Sequence, residues 1–101
     1  MSTEPIVVTV EGDLEDLMPI FLEQRRADQA TLAMSLAARD FKAIHKVGHG
    51  MVGACASYGF DDLGDLGQRI VEAGRAADAV ALDGLKRELD DYMVRLIVKY
   101  L

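Results

Sequence analysis

Tryptophan is absent from this chain, and cysteine and proline are nearly so, with one Cys and two Pro among 101 residues. A single thiol, Cys55, excludes an internal disulfide and fits a reducing compartment. Aromatic side chains are few, three Phe and three Tyr. The apolar content rests instead on Leu, Ala, Val and Met, which favours helices over strands. No run approaches the roughly 20 apolar residues that span a bilayer. Met1–Glu11 has neither the basic flank nor the apolar run of a secretory signal. These absences lead us to expect a cytoplasmic domain with no membrane contact. Cations are also short: the net charge is -6, which argues against nucleic acid as a partner, because phosphate must be neutralised by Lys and Arg.

What is present is a chain half hydrophobic by composition, too apolar for disorder and long enough for one modest core. Its charge is uneven. Between Arg25 and Lys46 the cations Arg25, Arg26, Arg39, Lys42 and Lys46 face only Asp28 and Asp40, while acidic residues dominate from Asp61 to Asp91.

Periodicity divides the chain into an arm and a helical body. Residues 1–12, with the short apolar run Ile6-Val7-Val8, read as an extended arm, and residues 13–101 as one bundle. Asp13 is a candidate N-cap for a short helix. Pro19 suits the first turn of a longer one, from about Pro19 to Ala38. A third helix is expected from Phe41 to about Ser57, with the inward stripe Phe41, Ile44, Gly48, Met51 and Cys55, and Gly59 as its left-handed cap. A fourth opens at Asp61 or Asp62 and carries Leu63, Leu66, Ile70 and Ala73 inward, with a loop from Gly74 to Asp78. The last carries Leu82, Leu85, Leu89, Tyr92, Met93 and Leu96 almost to the C-terminus. Short connections between such helices imply an all-α, antiparallel up-and-down four-helix bundle with a short extra N-terminal helix.

The third helix holds the residue of most interest. His49 is flanked by Gly48 and Gly50, with Gly53 one turn on. A glycine in a helix interior costs about 1 kcal/mol relative to alanine. Three so close together imply a surface kept bare around an imidazole. At 100° per residue His49 lies about 120° from the centre of the inward stripe, so it belongs on the flank or outside. Gly53 and Ala56 share its face, with Lys42, His45 and Lys46 nearby. Up-and-down topology places Gln68 or Arg69 at its level on the next helix, and the polar stretch from Arg25 to Gln29 at its level on the preceding one.

Four roles compete for this histidine. It is a surface residue without special chemistry. It binds metal with His45, whose i, i+4 spacing can grip zinc, although no third ligand lies near and lysines beside a dication are unfavourable. It is a general acid or base, although no Ser or Cys nucleophile sits beside it. Or it carries a phosphoryl group: a neutral imidazole nitrogen is a good nucleophile toward phosphorus. Cations from Lys46 and Lys42, and a donor from Gln68, would then hold the charge.

The residues His49-Gly-Met-Val-Gly53, with Gly59 ten positions after the histidine, resemble the signature His-x-Leu-Lys-Gly-(x5)-Gly of the histidine-containing phosphotransfer (HPt) domain family. The likeness extends to Asp13–Leu22, the Ala38–Phe41 turn and Gly59-Phe60 with the helix that follows. It implies a phosphoryl carrier in a two-component phosphorelay, without kinase activity of its own. His49 would be the acceptor, Met51 would take the apolar position, and Gly53 and Gly59 the two glycines. Gln68 resembles the polar residue of the following helix that bonds the phosphoryl group in some members. His45 fits the acceptor pattern poorly, since no glycine follows it by four positions. The implied partners are response-regulator receiver domains and a hybrid sensor histidine kinase, met by a monomer. No cofactor is expected on this chain, the Mg²⁺ residing on the receiver. Gly50, Gly53, Ala56, His45 and Arg25 are the expected docking residues. One departure stands out: the signature lysine, three residues after the histidine, is Val52. That substitution motivates an alternative, a receiver-binding helical adaptor that accepts no phosphate.

Overall fold

The computed structural model describes residues 3–101, so residues 1–2 of the expected arm lie outside the described part of the chain. The chain is mostly helical, with four helices: α1 (Met18–Ala37), α2 (Phe41–Tyr58), α3 (Asp61–Arg75) and α4 (Ala79–Arg95). Local chemistry accounts for their ends. Pro19 occupies the first turn of α1, where its missing N–H loses no helical bond. The Asp40 side chain accepts from the Ala43 amide at 3.1 Å and caps α2, and Asp78 caps α4 in the same way from Ala81. Gly59, at φ 82°, closes α2 in the left-handed conformation.

Three boundaries differ from the periodicity reading. Asp13 caps nothing; it lies inside a 3-10 helix, Gly12–Leu17, which leads directly into α1. Gly74 is not in a loop: α3 continues to Arg75, and Gly74 is buried in its last turn. The last helix stops at Arg95. Leu96 turns to extended geometry, and Leu96–Tyr100 forms a strand, β2, parallel to β1 (Ile6–Val10). The all-α reading is therefore amended by a two-stranded parallel sheet that ties the two ends of the chain together. Its register pairs Ile6 with Leu96 and Val10 with Tyr100. Ile6, Val8 and Val10 turn toward the core, while Val7 and Ile97 stay exposed. An isolated strand pair is marginal in water. Here it is anchored by the buried Val10 and by the Arg95 Nε bond to the Glu4 carbonyl at 2.8 Å.

The core joins all four helices through Phe21, Leu32, Ile44, Met51, Ile70 and Leu82. Phe21 stacks on Phe60 with centroids 4.7 Å apart. The helix pair α2–α3 is the tightest. A Cβ placed on Gly48 would meet the Gly67 carbonyl oxygen at 2.8 Å, and one placed on Gly67 would meet the Met51 Cβ at 2.8 Å. Gly74 packs against Ile44, and Gly64 against Cys55. These pairs run in opposite order along the two helices, so α2 and α3 are antiparallel. Elsewhere, Gln29 of α1 donates to Asp90 of α4 at 2.9 Å, and Arg69 of α3 forms a two-pronged ion pair with Glu88 of α4. No helix among the described residues is long and apolar enough to cross a membrane.

Candidate functional site

Helix α2 divides cleanly into two faces. Ile44, Val47, Gly48, Met51 and Cys55 are buried. Lys42, Lys46, His49, Gly50, Gly53 and Ala56 are exposed on the other side. The three glycines around His49 separate accordingly. A Cβ on Gly50 or Gly53 would meet nothing within 4 Å. Gly48 is different: its bare backbone lets α3 approach, so it belongs to helix packing rather than to the open surface.

The α2–α3 contact fixes what lies beside His49. His49 and Gln68 each follow a contacting glycine, Gly48 and Gly67, by one residue. One residue is about 100° of rotation, and in antiparallel helices these rotations turn toward the same side of the pair. His49 and Gln68 therefore share a level and a face. The Gln68 amide donates to Glu72 Oε1 at 3.4 Å, so its donor is engaged within its own helix. Arg69 points to Glu88. His45 stands one turn before His49, half-buried, with the rings nearly parallel (7°) and their centroids 6.2 Å apart. Among the described residues no side chain bonds to the His49 ring, and neither Lys42 nor Lys46 has an ion-pair partner. Val52 is half-buried in the α2–α3 seam, where its amide nitrogen would lie 3.2 Å from a Cβ on Gly67.

Arg25 is not part of this surface. It is 3 % exposed, its Nε bonds Asp28 Oδ2 at 2.8 Å, and its guanidinium lies 4.8 Å from the centroid of the Phe21 ring. The expectation that it helps dock a partner is corrected by its burial. Within the polar stretch Gln24–Gln29, Arg25 and Asp28 pair inside the bundle, as buried charges must, while the Arg25 Nη1 is buried without a hydrogen-bond partner among the described residues. Beside them lies Cys55, whose thiol is pushed up to about 11 by burial, against the opposing pull of Arg25. Burial likewise pushes the Tyr92 hydroxyl up to about 12, with Asp62 adding to the effect. These residues form a polar island in the core and offer no reactive group to solvent. The small residues of α3, Gly64, Gly67 and Gly74, shape the site although apolar periodicity alone does not single them out. Their spacing of three and seven, one face of a helix, was the available signal.

The arrangement is an exposed imidazole on an open, small-residue surface with two uncommitted ammonium groups. It has no adjacent nucleophile or orienting carboxylate. Among the described residues no group of three or more His, Cys, Asp or Glu could hold a metal ion. The cleft lined by Ala33, Leu36, Val80 and Lys86 lies between α1 and α4, apart from His49. An open site of this kind suits a macromolecular partner that brings the rest of the chemistry, since small-molecule sites are enclosed clefts.

The chain was compared with known proteins. No curated protein and no solved structure matches it. A family model described as Hpt domain matches residues 16–95, from the end of the 3-10 helix to the last residue of α4. With four helices and a surface histidine on α2, the chain belongs to the Hpt domain family, the histidine phosphotransfer domains of phosphorelays.

Proposed function

We propose that this protein is a phosphoryl carrier in which His49, on a monomeric antiparallel four-helix bundle in the cytoplasm, receives a phosphoryl group from the aspartyl phosphate of one receiver domain and passes it to the aspartate of another. The observation that carries this reading is the exposure of the His49 ring beside Gly50 and Gly53, with open space where side chains would stand. An unprotonated ring nitrogen attacks phosphorus. The P–N bond forms as the acyl P–O bond breaks, and the electron pair leaves with the receiver carboxylate. Transfer to the next receiver reverses these bonds. In phosphoryl transfer positioning and charge stabilisation account for nearly all of the catalysis. This chain supplies position through the α2–α3 seam and charge through Lys42 and Lys46. Mg²⁺ on the receiver would neutralise the transferring group. Gly50, Gly53 and Ala56 form the surface on which the receiver docks, with His45 at its edge.

Incubation with a phosphorylated receiver should yield acid-labile label on the wild-type chain and none on His49→Gln. Label that survives His49→Gln and disappears on His45→Gln would reassign the acceptor. A second reading, a receiver-binding adaptor without transfer, is favoured by one observation: Val52, apolar and half-buried, stands where the signature lysine would hold the phosphoryl charge. Receiver binding without label on any histidine would establish it.

A further inference from the structure

We propose that His45 is a positioning cation for phosphorylated His49, one that takes up its proton when the phosphoryl group arrives and so stands in for the lysine that Val52 replaces. This rests on the reading of His49 as a phosphoryl carrier.

A phosphoryl group brings about −1.5 to −2 charges onto the outer face of α2, and few groups can answer it. Val52 carries no charge. The Gln68 amide is engaged by Glu72, itself an anion. Arg69 is held by Glu88, and Arg25 is buried against Asp28. Lys42 and Lys46 remain, both exposed and mobile on long stems. His45 is the group already in place. It is half-buried, its ring lies parallel to that of His49 at 6.2 Å, and it has only two side-chain torsions to fix. Helix α3 lies against the backbone at this point: a Cβ on Gly74 would lie 3.5 Å from the His45 amide nitrogen.

Imidazole gains or loses charge near physiological pH, which a lysine does not. The charged groups around His45 are Lys42, Lys46 and His49 on α2, and Glu72 and Arg75 at its level on α3. Cations prevail in this set. A doubly charged anion on His49, whose ring centroid lies 6.2 Å from that of His45, reverses the balance, and this ring separation is within the Debye length of about 8 Å at physiological salt. Phosphorylation of His49 is then coupled to uptake of one solvent proton by His45. The phosphorylated state gains relative to a receiver's aspartyl phosphate as pH falls, so the division of phosphate between carrier and receiver becomes pH-dependent.

The test uses the full chain, ¹⁵N-labelled and phosphorylated in two ways: by a phosphorylated receiver, and by potassium phosphoramidate, which needs no partner. The His45 ring is titrated by long-range ¹H–¹⁵N spectra before and after. Its midpoint should rise by about half a unit or more on phosphorylation of His49; an unmoved midpoint overturns the proposal. In parallel, the transfer equilibrium with a receiver is measured for wild type and His45→Gln. The ratio of wild type to His45→Gln should grow by about threefold between pH 8.5 and pH 6, the change that half a unit allows. His45→Lys should hold the advantage at both. A ratio flat in pH overturns the proposal even if His45→Gln lowers stability. Modification by phosphoramidate with the midpoint shift but without receiver transfer would refute the carrier reading and leave the coupling standing. Transfer without the shift would do the opposite, and a His49 refractory to both donors would sink both.

Discussion

Gly48 and Gly67 face each other across α2 and α3 so closely that a Cβ on Gly67 would lie 3.1 Å from the Gly48 carbonyl oxygen. This contact sets the separation and the level of the two helices, and through them places Gln68 beside His49. It also divides the glycines of α2 into two kinds, which mutation can tell apart.

Gly50→Ala and Gly53→Ala, into open space, should each stabilise the fold by about 1 kcal/mol through helix propensity. Gly48→Ala and Gly67→Ala should destabilise by about 1–3 kcal/mol, since backbone must move to admit the methyl group. Urea midpoints measure all four. Stabilisation by Gly48→Ala would contradict the close contact.

The buried pair Arg25–Asp28 should matter for folding and not for docking. Arg25→Met leaves Asp28 as an uncompensated buried charge and should cost about 3–5 kcal/mol, whereas Arg25→Met with Asp28→Leu should recover much of that loss. Thermal unfolding of the two variants checks this, and receiver affinity of the folded double variant should match wild type. A stable single variant with weakened receiver binding would return Arg25 to the docking surface.

Cys55 gives a pH signature. Its folded thiol is held near 11 by burial, above the unfolded value of about 8.5. Between these values the unfolded chain has lost a proton that the folded chain keeps, so stability falls as pH rises from about 8 to about 11 and is unaffected well below that range. Wild type should lose roughly 2 kcal/mol more than Cys55→Ala between pH 8 and 10. At pH 8 the thiol should resist a disulfide reagent until urea unfolds the chain. Rapid labelling of the native protein would refute its burial.

Two substitutions probe the site itself. Gly53→Arg places a long side chain on an open position of α2, so the circular dichroism spectrum should be retained while receiver binding falls at least tenfold. Val52→Lys restores the signature lysine at a half-buried position from which its stem can reach solvent. It should shift the transfer equilibrium toward phosphorylated His49 by several-fold. Unchanged binding in the first, or unchanged transfer in the second, would remove the corresponding residue from the site.

Much of this site was legible along the chain. The exposure of His49, Lys42 and Lys46 follows from helical phase against the stripe Ile44, Gly48, Met51 and Cys55, because rotation per residue is a local property. The Gly59 cap follows from its place at the end of that stripe. Other features mislead locally. Leu96 continues the apolar spacing of α4, so periodicity carries the helix past Arg95. The strand that replaces it depends on Ile6–Val10, at the far end of the chain. Gly74 has the look of a stop signal, yet it is helical because Ile44 needs the space that its missing side chain leaves.

The sequence by itself determined the helical class, the ends of α2, and which side of that helix His49 occupies, since each depends on neighbours within a turn or two. Only the tertiary structure decided that Arg25 is inside, that Gly48 packs while Gly50 and Gly53 stay open, and that the half-buried His45 ring lies parallel to that of His49. Those outcomes depend on which helix lies against which, and close packing between segments distant in sequence leaves no mark in either segment alone.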